Sequence, residues 1–218
     1  MNIKFFAIAA ALLMGACSSS PKPADWQLES KSAMERSVAA YLEGNSRVEA
    51  VEFARARAEI SSTGRFDLMA RAELLHCASH VASLVFESCS GFESLRQDAP
   101  PAERAYADYL LARLQPQDVP LLPPAQRAAA AGNEDAIKTM ADPLSRLVAA
   151  GVAMQSGRAS PALVQTAVDT ASSQGWRRPL MAWLGVQLAL ADKAGDLEAA
   201  ARLRRRIELA QGSMKATR

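Results

Sequence analysis

The sequence predicts an all-α fold, and three observations carry that expectation. Period-two alternation of apolar and polar residues is absent, and the β-branched residues are scattered, so no strand pattern emerges. Apolar residues recur at three- and four-residue spacing along most of the chain. Half of the residues are apolar while only 6% are aromatic, and many are alanine, which favours helices packed closely through small side chains. Glycines 44, 64, 132, 157, 175 and 195 mark expected turns between such stretches, several about 20 residues apart, the length of one helix plus a turn.

The chain opens on Lys4, an unbroken apolar run from Phe5 to Met14, and the small residues Gly15-Ala16 before Cys17. This three-part layout is that of a secretory signal. The run has half of the roughly 20 residues a helix needs to cross a bilayer, which argues against a permanent span. Leu12, Leu13, Gly15, Ala16 and Cys17 together resemble the lipobox of bacterial lipoproteins, with Met14 where a leucine is usual. The resemblance implies cleavage after residue 16 and acylation of Cys17. More than one chain on that residue makes anchoring stable. Ser18 is not the aspartate that retains such proteins at the inner membrane, so the resemblance implies the periplasmic face of the outer membrane. Residues 17–24 then form a polar tether in which Pro21 and Pro23 favour extended backbone. Ser19 and Lys22 fit S-x-x-K spacing, but a tether offers no rigid pocket for a catalytic serine.

The first half of the body is expected over 25–97. Asp25 reads as the cap of a first helix that runs through Ala33, Val38, Ala39 and Leu42 to Gly44-Asn45. Ser46 with Glu49 three residues on reads as a capping box for the second helix. Its apolar face would be Val48, Val51, Ala54, Ala58 and Ile60, with Arg55 pairing to Glu52 and Glu59 on another face. A third helix runs from about Phe66 into the cysteine region, with Leu68, Leu74, Leu75, Ala78, Val81, Ala82 and Val85 apolar.

Residues 98–124 hold six of the eleven prolines and are the candidate boundary between two halves. One helix fits within them, about Ala102 to Leu114, after Pro100-Pro101. The second half, 125–212, reads as helices near 124–131, 134–151, 161–174, 178–194 and 196–211, followed by a tail over 213–218. Pro143 should kink or split the second of these. Gly64-Arg-Phe-Asp-Leu-Met-Ala70-Arg71 and Gly195-Asp-Leu-Glu-Ala-Ala-Ala201-Arg202 share one pattern. It is similar to the inter-helix turn of tetratricopeptide-type repeats, which implies antiparallel hairpins stacked as a solenoid; an irregular helical bundle fits the same spacing.

Removing residues 1–16 takes away one of 25 basic residues and none of 23 acids, leaving a net charge of +1. Such a balance gives no electrostatic case for nucleic acid. The run Arg202 to Arg206 reads as the solvated face of a helix whose buried side is Ala199, Leu203, Ile207 and Ala210, with Glu198 and Glu208 placed to pair with it.

With Cys17 assigned to lipid, Cys77 and Cys89 remain. In an oxidising compartment the pair is expected to bridge, the alternative being two buried thiols. An unbroken helix would hold them about 18 Å apart, so a bridge requires the helix to end early and the chain to double back. His76 and His80, the only histidines, stand one helical turn apart, a spacing that can hold Zn²⁺ or Cu²⁺. Glu73 and Glu87 lie on the same stripe. The other reading is the polar face of an amphipathic helix formed by Glu73, His76, His80 and Ser83. With no clear third ligand in the sequence, no metal or other cofactor is assigned. His76-Cys-Ala-Ser-His80 also lacks the glutamate of a zincin.

Glu-Ser pairs at 29–30, 87–88 and 93–94 are of the kind that carries the catalytic glutamate of helical lytic transglycosylases, but the Gly-Leu-Met-Gln segment of that family is missing. No P-loop, G-x-G or G-x-S-x-G occurs. The sequence therefore points away from an enzyme and toward a lipid-anchored helical scaffold for an envelope protein partner. The alternative is a metal-binding or cell-wall-acting protein centred on His76 and His80.

Overall fold

Glycine and proline set most of the helix ends. The structure, a computed structural model, describes residues 23–215, with side chains to residue 212. The expected signal segment 1–16, the expected acylation position Cys17 and residues 18–22 of the expected tether lie outside the described residues. The fold is all-α: the described residues form eleven α-helices, one 3₁₀ turn and no strand. None of these helices is long and apolar enough to cross a membrane.

Helices α1 (Asp25–Glu43) and α2 (Ser46–Ser61) form a tight hairpin, followed by α3 (Phe66–Ala82) and the short α4 (Ser90–Glu93). Then come α5 (Pro101–Leu110), the 3₁₀ turn Pro116–Leu121, α6 (Pro124–Ala130) and α7 (Glu134–Lys138). The chain closes with α8 (Pro143–Gln155), α9 (Pro161–Ser173), α10 (Arg177–Ala194) and α11 (Leu197–Lys215). All six glycines expected at turns have positive φ. At Gly44 and Gly195 the left-handed residue ends a helix and lets the next begin within two residues. Pro143 splits the expected 134–151 helix: it sits at the first turn of α8, where Asp142 accepts the Ser145 amide. Ser160 caps α9 in the same way, ahead of Pro161.

Four local expectations are corrected. Ala24, not Asp25, occupies the cap of α1; its amide donates to the Gln27 side chain, and Asp25 lies in the first turn, where its charge suits the helix dipole. Asn45, not Ser46, caps α2, its side chain accepting from Val48 N at 3.3 Å. The turn after Gly44 is simply one residue shorter than the Ser-x-x-Glu spacing suggests. Val48 and Val51 on α2 are exposed, while Ala56 and Ile60 are buried with Phe53 half-buried beside them. Two apolar stripes compete on this helix, and the one bearing the large ring is buried because it removes more apolar surface from water. Arg55 accordingly pairs across the hairpin with Glu29, and Glu52 with Arg36. Finally, α5 stops at Leu110, with Ala112 left-handed beyond it, so Leu114 reaches the core from outside the helix.

The helices from α8 to α11 pack in sequence as antiparallel hairpins. The array is not left open. α3 packs on α8, and α1 returns to α10, so the first helix meets the tenth and the chain closes into a bundle. α3 crosses α8 so closely that a Cβ at Gly151 would fall 2.3 Å from the Val81 carbonyl oxygen. The largest core runs from Ala70 to Leu184 and includes residues on both sides of the proline-rich segment 98–124. Trp183 at its centre has no solvent exposure, and its indole N–H donates to the Ala82 carbonyl at 3.1 Å. A smaller cluster of Ala33, Met34, Ala56, Ile60 and Ala72 ties the α1–α2 hairpin to α3.

On α11 the expected buried side is met in outline: Ala200 is fully buried, and Ala199, Leu203, Ile207 and Ala210 are half-buried. Arg202 pairs with Glu198, whereas Arg204 reaches Asp192 on α10 instead of Glu208. Of the two matching turn segments, Ala70 is fully buried but Ala201 only partly.

Candidate functional site

The residue pattern of α3 places His76 and His80 one turn apart, their ring centroids 4.6 Å from each other. The face they share was expected to meet solvent as a polar stripe. It is instead covered by the α1–α2 hairpin: Glu73, Ser79 and Ser83 are buried, and both histidines are half-buried. Covering the stripe places an aromatic ring against each imidazole. Phe53 of α2 stacks on His76 at 4.1 Å, and Tyr41 of α1 stacks on His80 at 4.2 Å, both nearly parallel. Guanidinium groups end the row. Arg178 of α10 lies 4.2 Å from the Tyr41 ring centre, and Arg57 of α2 lies 5.9 Å from that of Phe53. Arg178 is fixed further by donating to the Tyr41 carbonyl and to the Ser46 hydroxyl, both at 2.7 Å.

Glu49 enters from α2. Its carboxylate accepts from His76 Nε2 at 2.6 Å, and only 13% of its side chain is exposed. One ligand atom from each of Glu49, His76 and His80 lies within 4.8 Å of the others. His80 Nε2 is buried and makes no hydrogen bond. Burial, with the nearby charges of His76 and Arg178, pushes the His80 pKa down to about 4, which keeps the ring neutral near pH 7. The buried Glu73 carboxyl is pushed the other way. Desolvation raises its pKa against the opposing pull of Arg57, 2.6 Å away, and of His76. The backbone at Gly91 approaches Glu73 so closely that a Cβ there would fall 1.9 Å from Oε2.

Phe53, Arg57, Glu73, His76 and His80 line a cavity of about 230 Å³, together with Glu87 and the cysteine pair. α3 ends at Ala82, Leu84 turns left-handed at φ 59°, and the chain doubles back. The Cα atoms of Cys77 and Cys89 are therefore 5.5 Å apart, a disulfide separation. The cysteine pair fastens the returning loop to α3 and walls one side of the cavity.

The site thus unites His76, His80, Glu73 and Glu87 from the sequence stripe and adds Glu49, Tyr41, Phe53 and Arg178. The spacing of Glu49 from Ser46 made it read as part of a cap. The three Glu-Ser pairs are not brought together: Glu29 pairs with Arg55, and Glu93 is held below the usual carboxylate range chiefly by its hydrogen bond to Arg96. Only Glu87 reaches the cavity.

A second surface feature lies on the other side of α3. Two apolar hollows, of about 370 and 320 Å³, meet at Arg71 and Leu75. Trp26, Met34 and Leu68 line the first; Leu74, Tyr106 and Leu121 line the second. Together they make a groove across α1, α3 and α5, whose rim carries the Arg71–Glu103 ion pair. Compared with known proteins, the chain matches no protein family, no curated protein and no solved structure.

Proposed function

We propose that this protein is a lipid-anchored helical binding module of the bacterial envelope. Cys17 would carry the lipid, the domain would stand at the periplasmic face of the outer membrane, and a protein partner would be its ligand. The observation that carries the reading is the groove across α1, α3 and α5. Its walls are mainly Trp26, Leu68, Leu75, Tyr106 and Leu121, with Leu75 and Leu121 more than a third exposed. A mainly apolar channel, bordered by Lys31, Arg65 and the Arg71–Glu103 pair, suits the apolar face of a partner helix, which docks through side chains at helical spacing. Docking of this kind requires neither catalysis nor cofactor.

The test is crosslinking in cells followed by mild detergent extraction of the full-length protein. A reproducible envelope partner is expected with the wild type and should be lost with Leu75→Glu, while Cys17→Ser should abolish fatty-acid labelling and release the protein from membranes. Recovery of the chain alone, or capture undiminished by Leu75→Glu, overturns groove binding. Continued labelling of Cys17→Ser overturns the anchor.

A further inference from the structure

We propose that Glu49, His76 and His80 form a binding site for a divalent first-row transition ion of the Zn²⁺ type, with a fourth position open to the adjoining cavity. This goes beyond the groove and does not depend on it.

The donor set selects the class of ion. Two imidazoles and one carboxylate suit Zn²⁺ and its neighbours, whereas Mg²⁺ and Ca²⁺ favour all-oxygen surroundings. The geometry is near that of a tetrahedral ion. Ligand atoms at roughly 2.0–2.1 Å from zinc stand about 3.3 Å from one another. Here the three candidate atoms lie within 4.8 Å, with Glu49 and His76 at 2.6 Å. Admitting an ion means opening one hydrogen bond by a fraction of an ångström and drawing His80 inward, both side-chain movements.

A purely structural role accounts for only part of the cluster. The hydrogen bond from His76 to Glu49 satisfies those two groups. His80 Nε2 is left buried with no hydrogen bond, beside that pair. A buried polar atom left unsatisfied costs about 1–3 kcal/mol. An ion on that nitrogen removes the deficit and uses all three groups at once.

The surroundings are those of a prepared site. Tyr41 and Phe53 hold the two rings by stacking, so little orientation is lost on coordination. The positive Arg178 is separated from His80 by the Tyr41 ring. The cavity brings the carboxyl groups of Glu73 and Glu87 to the same opening, through which an ion and a water or exogenous ligand can enter. If His76 binds through Nε2, the proton now shared with Glu49 either leaves to solvent or moves to Nδ1.

Full-length protein in detergent, stripped with a chelator, should be titrated with Co²⁺. One equivalent should give the visible ligand-field bands of a four-coordinate N/O site, and Zn²⁺ should bleach them. His80→Asn and Glu49→Gln should each weaken binding by more than the roughly 100-fold seen for loss of outer partners. Glu29→Gln, which pairs with Arg55 outside the cavity, should stay within a few-fold of wild type. Circular dichroism checks that each variant is folded. No bands with the wild type, or bands undiminished in folded His80→Asn, overturn the site. Since no partner is present in the titration, its failure leaves the groove reading untouched.

Discussion

The two faces of α3 are held by different physics. Toward α8 the contact is apolar and close: Leu74, Ala78 and Val81 are buried, and Gly151 admits the α3 backbone. The neighbouring α8–α10 layers continue in the same manner with Leu147, Val148, Val164, Val168, Trp183 and Leu184. Toward α1 and α2 the same helix presents Glu73, His76 and His80 to Tyr41, Phe53 and Glu49. Apolar residues at those positions would hold a hairpin at least as well, because burying ionisable groups usually costs more than their pairing returns. The apolar side therefore carries stability. The polar side is arranged around a cavity and is where chemistry is to be sought.

Substitutions can break that contrast. Trp183→Ala should have the largest effect, a loss of about 3–5 kcal/mol in denaturant unfolding, since it empties the centre of the main core and removes the donor to Ala82. Paired glycine changes probe the two sides directly. Gly151→Ala forces a methyl group against the Val81 carbonyl of a packed backbone and should cost about 1–3 kcal/mol. At Gly91 the obstacle is the end of the flexible Glu73 side chain, which can turn away. Gly91→Ala should therefore be milder in unfolding yet should alter the cavity. Equal losses at the two glycines would end the distinction.

A further test is acid sensitivity in metal-free protein. The folded pKa of His80, about 4, lies below its ordinary value of about 6.5. Folding favours the neutral ring, so its contribution is complete above pH 6.5 and is lost as pH falls from there toward 4. His80→Asn should flatten that part of the stability profile. An unchanged slope would show that the polar face does not resist protonation.

Local signals in the sequence were enough for most of the long helices and for many of their ends. Gly44, Gly64, Gly175 and Gly195 mark turns because a left-handed residue is needed there, and Pro143 and Ser160-Pro161 mark starts because proline suits a first turn. Chain geometry also made doubling back between Cys77 and Cys89 the condition for a bridge, and the chain meets that condition. What could not be read is which face of a helix is covered. On α2 two apolar stripes were available, and α1 and α3 decide between them. Glu49 lies 27 residues from His76, and Arg178 lies 137 from Tyr41. No periodicity links such positions, and the capping pattern around Ser46 supplied Glu49 with a different local explanation.

The long reach of Arg178 bears on how the protein matures. Tyr41 is made early, but the guanidinium that fastens its carbonyl and covers its ring is absent until residue 178 has been added. Arg177, which donates to the Glu43 carbonyl, arrives with it. Contacts so remote in sequence form late, after the intervening chain has been ordered. The α1–α2 hairpin can assemble as soon as it is made, while the wall it provides for the histidines is locked only when four-fifths of the chain exists. A chain interrupted before α10 would lack both Trp183 at the centre of the main core and a finished cleft.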